Sequence, residues 1–407
     1  MSETEFQQND ELSKIIQERL GDYIDVGQKL GEGMYSVSSM AQIDGATGGE
    51  QILRLFKYYG PTDKLETKRE NIEREIEYLA ALETAGVAEK IREVTGVSLR
   101  RILETGPYAE TADKEDGFVF WDDNPIKYGG NEFVAYQINE LIPGVALADV
   151  HAARSDADFV KKAGEHFGRT LAEFHFNARD IALPHYQLAP DLNRKDHAFR
   201  MVRNAKSNAE AMAKTDHEFQ PFHDLAARIY SELVETDTEG NVISFKPNDG
   251  PVISIHGDLN PGNITVDEKT GLITGLLDFD KGRKGPAEYD FMGVAVIPGM
   301  LDAALNAYQQ RMHELGGDIT IDKALALKLA LAVRIGMATW PEESIHKLTF
   351  NTVDSNEKIR ARGIAAVGNI VEQLAQVDPA YIGLASAVRP KIEAANDQFK
   401  GISLEAA

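Results

Sequence analysis

Hydrophobic positions change their period twice along the chain. Leu12, Ile15, Ile16 and Leu20 recur at helical spacing and predict a helical extension over residues 1–22. From Tyr23 to Lys57 the pattern is that of short strands, punctuated by turns at Gly31 and Gly33 and at Gly45, Gly48 and Gly49. Ile72, Ile76 and Leu79 mark one face of a charged helix from Lys64 to Thr84. Strand-like runs return at Val97–Leu103, Gly117–Trp121 and Phe133–Ile142.

Beyond Pro143-Gly144 the period becomes mostly helical. Phe159, Ala163, Phe167, Leu171 and Phe174 form one stripe, and Phe222, Leu225, Ala226, Ile229 and Leu233 another. Residues 182–196 read as loop, and the wider segment 184–247 as a helical insertion. Short strands are predicted at Pro251–Ile255, Ile264–Val266 and Leu272–Leu277, and helices from about Gly299 onward. The expectation is an α+β protein with a mostly β part over residues 1–142 and a larger, mostly helical part over residues 143–407.

Composition narrows the chemistry. The 407 residues include no cysteine, which removes disulfides, thiolate metal sites and thiol nucleophiles. Lys and Arg number 43 against 65 Asp and Glu, a formal charge of −22 that argues against nucleic acid as a partner. The same charge is compatible with a cationic substrate and equally with an acidic, solvated surface. The apolar windows Phe291–Leu301 and Ala324–Val333 are too short to span a bilayer, and the polar N-terminus lacks a basic-then-apolar leader. No membrane association is expected, and a cytoplasmic location is.

The chemistry concentrates in His256-Gly257-Asp258-Leu259-Asn260-Pro261-Gly262-Asn263, followed by Leu276-Leu277-Asp278-Phe279-Asp280. One apolar strand delivers an Asp with an Asn five positions later, and a second ends in another Asp. Oxygen donors brought together from two strand ends suit Mg²⁺ that shares its shell with phosphates. Phosphoryl transfer needs this set: a carboxylate for the acceptor hydroxyl, and an Asn and an Asp for the metal.

The form HGDLNPGNI followed by LLDFD closely resembles the aminoglycoside phosphotransferase and choline kinase group, small-molecule relatives of the protein kinases. The resemblance runs from about Asp25 to Asp290. It implies a two-lobed protein-kinase-like fold, a small mostly β N-lobe and a larger mostly helical C-lobe, with ATP and Mg²⁺ as cofactors. By motif position, Asp258 is the implied catalytic base, Asn263 and Asp278 the metal ligands, and His256 a scaffold for the loop. Asp290 resembles a further acidic position that buttresses it.

On the nucleotide side, Gly31-Glu32-Gly33-Met34-Tyr35-Ser36 resembles the start of a glycine-rich phosphate loop, with Ser36 where a third glycine would stand. Arg54, in Ile52-Leu53-Arg54-Leu55-Phe56-Lys57, takes the place of the phosphate-gripping lysine, and Arg suits bidentate phosphate contact. Lys57 takes that place instead if a bulge shifts the strand. Glu75 matches the helix Glu that pairs with that cation, and the backbone of Glu140 and Ile142 matches the hinge that meets adenine. Trp340, Glu342 and Glu343 offer a ring face and carboxylates to a cationic acceptor, or equally a helix end and the next cap.

The resulting expectation is a kinase that moves the γ-phosphate of ATP to a hydroxyl of a small molecule such as an aminoglycoside, a choline-like amine, a sugar or an amino alcohol. A protein-directed kinase is the first alternative. Against it, Pro286–Asp290 follows Asp280 within ten residues and leaves no space for a long activation loop. A nucleotide-binding pseudokinase is the second, and the joint presence of Asp258, Asn263 and Asp278 weighs against it.

Overall fold

The computed structural model describes residues 24–32, 36–43, 51–58, 75–100, 118–120, 126–128, 131–153, 156–181, 197–249, 252–340 and 356–398, together with Lys14. The predicted extension over residues 1–22 (Lys14 excepted), Gly33, the 182–196 loop, Glu342 and Glu343 lie outside the described residues. By internal packing the chain divides into two units, Met1–Ala80 with Arg100–Ile142, and Ala81–Leu99 with Pro143–Ala407.

The first unit is an antiparallel sheet. β1 (Ile24–Glu32), β2 (Ser36–Ile43) and β3 (Gln51–Tyr58) are consecutive neighbours, and β3 pairs with the longest strand. That strand follows β4 (Ser98–Leu99), β5 (Phe118–Phe120) and β6 (Ile126–Tyr128), and is β7 (Asn131–Glu140). The order is β1-β2-β3-β7-β5, with β6 also on β7. Leu53 and Ile138 face each other in the β3–β7 register and are 0% and 4% exposed, so this pair anchors the sheet's inner face. Of a helix whose described part is residues 75–84, α1, residues 75–80 belong to this unit; it buries Tyr78 and Leu79, while Ile76, expected on the same face as Leu79, is half-buried.

Residues 81–99, which the boundary near Pro143 assigns to the β-rich part, belong to the second unit. α2 (Val87–Thr95) packs on a long helix of that unit, and β4 pairs in parallel with one of its strands. β8 (Val145–Ala146) and α3 (Leu147–Ala153) open the chain beyond Pro143. The long helix is α4 (Ala157–Ala178), capped by Asp156, whose carboxylate accepts from the amides of Asp158 and Phe159. Its predicted stripe, Phe159 to Phe174, is buried throughout.

α5 (His197–Thr215) and α6 (Gln220–Leu233) lie within the 184–247 segment, which also carries a hairpin, β9 (Val234–Thr236) with β10 (Val242–Phe245). The turn at Asp237 closes it: the carboxylate accepts from the amides of Glu239 and Asn241.

β11 (Ile253–Ile255), β12 (Ile264–Val266) and β13 (Ile273–Leu276) fall where the sequence places strands. β14 (Arg283–Gly285), too short and polar for a periodicity signal, pairs with β11. β4, β13, β12 and β8 form one sheet in that order. The helices α7 (Met300–Glu314), α8 (Lys323–Ala338), α9 (Asn356–Val377) and α10 (Ile382–Gln398) complete the unit.

α8 is buried on most of its circumference because α5 and α9 both pack against it, which explains an apolar run that is not a membrane span. Its one interruption, Lys328, pairs with Glu232 at 2.8 Å and with Asp378 at 3.5 Å. Among the described residues no helix is long and apolar enough to cross a membrane.

Candidate active site

Two loops leave adjacent secondary structure and are tied together. β11 ends at Ile255 and delivers His256 to Asn263; β12 then pairs with β13, which delivers Leu277 to Asp280. The amide of Leu277 donates to the carbonyl of Asn263 at 2.8 Å, joining the two loops at their roots.

His256 is fully buried and works through its ring and its backbone. Nε2 bonds the Leu277 carbonyl at 2.8 Å, and Nδ1 accepts from the Asp258 amide at 3.3 Å, so the ring is read as the neutral Nε2–H tautomer. Phe279 packs against it at a centroid distance of 4.1 Å. Gly257 has φ +80°, and a Cβ there would lie 2.4 Å from the Lys281 carbonyl, so both conformation and space require glycine.

Asp290 holds the loop from behind. It is completely buried, and its carboxylate accepts from the amides of His256 at 2.9 Å and Gly257 at 2.7 Å. His175 on α4 bonds the same carboxylate through Nε2 at 3.0 Å, and Tyr308 on α7 bonds His175 Nδ1 at 3.0 Å. Burial alone would push the Asp290 carboxyl up, but the His175 hydrogen bond, charge attraction from His175, and the Gly257 amide hold it below the usual range. Burial pushes the Tyr308 hydroxyl well above its ordinary value, and the nearby Glu288 and Asp290 charges add to the rise. The sequence points to Asp290 as a buttress; His175 and Tyr308 carried no signal.

Asp258 stands at the loop's tip. One oxygen accepts from Asn260 Nδ2 at 3.2 Å, and its backbone carbonyl accepts from Asn263 Nδ2 at 2.8 Å. Burial raises the Asp258 carboxyl, the Asn260 bond opposes this, and the negative charge of Asp278 raises it further. Asp278 has φ 63° and is the one non-glycine residue with positive φ among those described, a strained backbone of the kind that concentrates at functional sites. Asp280 is ion-paired with Lys281, and burial would lower that ammonium's pKa, but Asp280, Asp258 and Asp278 together raise it.

The donor set fits Mg²⁺ shared with phosphate. Because Asn263 spends its NH₂ on the Asp258 carbonyl, its amide oxygen is left for a hard cation, and Asp278 supplies a carboxylate on the adjoining loop. Among the described residues no three acidic or His side chains gather into a metal cage. An ion with one or two protein carboxylates and phosphate oxygens needs no such cage.

In the first unit, Arg54 and Glu75 meet. Arg54 Nη1 lies 3.2 and 3.4 Å from the two Glu75 oxygens, with the residues 6% and 1% exposed. A register shift does fall in β3, between Phe56 and Lys57, but it lies beyond Arg54 and leaves that pairing in place. Arg100, which sequence reasoning missed, bonds the same Glu75 at 3.4 Å. Gly31 pairs with Ser38 across β1 and β2, Ser36 faces Phe56, and Glu140 closes β7 opposite Gln51. Ile142 is buried just beyond. Trp340 is half-buried at the end of α8.

The sequence profile of the phosphotransferase enzyme family matches residues 43–320, more than half of the chain. Those residues contain Arg54, Glu75, Glu140, Ile142, Asp258, Asn263, Asp278 and Asp290, while Gly31, Gly33 and Ser36 precede them. A kinase-like protein of Caenorhabditis elegans is 25% identical over 172 residues, 39% of this chain, and the match spans only 42% of that relative's length.

Among solved structures, the gentamicin complex of APH(2″)-IIa covers 88% of this chain and 95% of its own at 11% identity and a TM-score of 0.45. A macrolide 2′-phosphotransferase from Brachybacterium faecium, solved as apoenzyme, covers 94% and 98% at 15% identity and a TM-score of 0.41. The architecture is α+β, a β-sheet unit and a mostly helical unit. On the profile match, the chain belongs to the phosphotransferase enzyme family.

Proposed function

We propose that the protein is an ATP- and Mg²⁺-dependent phosphotransferase that moves the γ-phosphate of ATP to a hydroxyl of a small molecule. The observation that carries this reading is the pair of tied loops, in which Asp258, Asn263 and Asp278 are fixed from behind by His256 and Asp290. Asp258 orients the acceptor hydroxyl and takes its proton as the new O–P bond forms and the bond from the γ-phosphorus to the ADP oxygen breaks. Its raised affinity for a proton suits a base that must accept one.

Asn263 and Asp278 would hold Mg²⁺, whose chemistry there is to neutralise charge on the phosphates. Arg54, oriented by Glu75, takes the nucleotide phosphates with the Gly31–Gly33–Ser36 turn, and the backbone of Glu140 and Ile142 meets adenine. Positioning and charge neutralisation, rather than covalent catalysis, account for the rate.

The test is ATP consumption by the full chain against hydroxylated metabolites and antibiotics, with casein as a protein acceptor. Phosphorylation of a small molecule is expected. It should fall roughly 10²–10⁴-fold in Asp258→Asn while Mg·ATP binding persists. Retained turnover in that variant would remove Asp258 from the role of base, and transfer to casein alone would make the protein-directed alternative correct.

A further inference from the structure

α8 brings a buried cation to the catalytic loop that the reading above does not use. Arg334 is 6% exposed, yet no carboxylate of the described residues lies within ion-pair reach of its guanidinium. Its hydrogen bond, at 3.3 Å, goes to the thioether sulfur of Met337, a weak acceptor. α8 packs directly on the turn Ala287–Phe291 that carries Asp290, and the charge of Arg334 is felt by Asp258. A second arginine reaches the same end of α8. Arg360 on α9 donates through Nη2 to the Trp340 carbonyl at 3.2 Å, while its buried Nε has no partner. Close approach of the two helices sets this: a Cβ on Gly363 would lie 2.8 Å from the Ala338 amide nitrogen.

A guanidinium withdrawn from water is costly unless something compensates it. The C-terminal carbonyls of α8 offer only partial charge, and Met337 offers little more. Burial pulls Arg334 down to about 10, with Asp258 opposing the fall, so the group stays cationic at neutral pH, and no carboxylate among the described residues is ion-paired with it.

We propose that Arg334, with Arg360 reaching the C-terminal end of the same helix, binds an oxyanion carried by the acceptor, so that the molecule phosphorylated is a hydroxyl compound bearing a carboxylate or a phosphate monoester. This rests on the phosphotransferase reading and sharpens its substrate class. Planar, forked donors match such oxyanions bidentately, and an acceptor anchored beside Asp258 presents its hydroxyl to the base. The overall charge of −22 does not decide the matter, because a local buried cation, not the distant surface, meets the ligand.

The experiment follows thermal unfolding of the full chain, wild type and Arg334→Met, at constant ionic strength. Acetate and inorganic phosphate are the bare oxyanions, chloride the control, and glycerate, glycerol 3-phosphate and glycerol a matched series. In wild type, acetate or phosphate and the corresponding charged glycerol derivative should raise the midpoint saturably by a few degrees, with chloride and glycerol inert. Arg334→Met should abolish that rise while itself unfolding at a higher temperature than wild type without ligand, since an uncompensated buried charge has been replaced by an apolar chain of similar length. The carboxylate and phosphate arms tell the two oxyanions apart.

Unchanged anion response in Arg334→Met, or a variant less stable than wild type, would overturn the assignment and leave Arg334 a structural residue. A wild type blind to every oxyanion yet stabilised by Mg·ATP would also overturn it, with the phosphotransferase reading intact. Loss of the Mg·ATP response in wild type would instead strike that reading.

Discussion

Asp258 stands in the catalytic loop and Asp290, in the turn Ala287–Phe291, holds that loop by its backbone, yet their environments drive them in opposite directions. Asp258 is buried beside Asp278 with one amide in support, while Asp290 receives two backbone amides and a His ring. The folded state therefore holds a proton on Asp258 more tightly than the unfolded chain does. Its contribution to stability is present below the ordinary carboxylate range and is lost as pH rises through its raised folded value. Asp258→Asn, which removes that charge, should unfold at a higher temperature than wild type at pH 7 in a calorimetric scan, alongside its loss of turnover.

The acid limb of kcat should lie above the range of an unperturbed Asp; a limb near pH 4 would contradict the burial of the base. Asp290 works the other way, stabilising above the ordinary carboxylate range and losing that contribution as pH falls through its depressed value. Asp290→Asn places an NH₂ against backbone donors and should cost about 1–3 kcal/mol in denaturant titration, with turnover falling further than stability explains. Of these residues the motif spacing identifies Asp258, Asn263, Asp278 and Asp290, because each stands in a short local pattern. His175 and Tyr308 are invisible to it, lying 115 residues before Asp290 and 133 after His175.

The element that organises the second unit is α4. Its apolar stripe is legible from spacing alone, but the reason for its two glycines is not. Gly164 and Gly168 let α7 approach so closely that a Cβ on Gly168 would fall 2.0 Å from the Ala304 carbonyl oxygen. On the reverse of the same contact, Arg311 of α7 reaches the buried Glu173 at 2.8 Å through Nε, and Tyr308 reaches His175. Gly168→Ala would gain about 1 kcal/mol in an isolated helix, yet here the added carbon must push the helices apart. We expect a net loss of about 1–3 kcal/mol by urea unfolding; a stabilised variant would show that α4 and α7 do not meet as described.

The hairpin of β9 and β10 was hidden for a different reason. It is three to four residues per strand and half exposed, too short for its period to stand out from the helical segments before it.

For the molecule as a whole, the functional proposal makes nucleotide binding a stability event. A ligand that binds only the folded chain at one hundred times its dissociation constant adds about 2.7 kcal/mol, so Mg·ATP should raise the unfolding midpoint and ATP with chelator should raise it less. Asp278→Ala should erase the difference between the two, and a persisting Mg²⁺ dependence would remove Asp278 from the metal site. What the sequence determined by itself is the local chemistry and class: absent cysteine, two loop motifs at kinase-like spacing, Arg54 and Glu75 as a prospective pair, and an α+β order of elements. These are legible because strand-then-loop motifs and helical stripes are encoded within a few residues of one another. Only the tertiary structure decided that residues 81–99 join the second unit, that Arg100 shares Glu75, and that α8 carries a buried guanidinium that senses the charge of Asp258 and has no ion-pair partner among the described residues. Those facts depend on which distant segments pack together, and burial, which turns an ordinary Arg into a ligand-seeking charge, is a property of the packed chain alone.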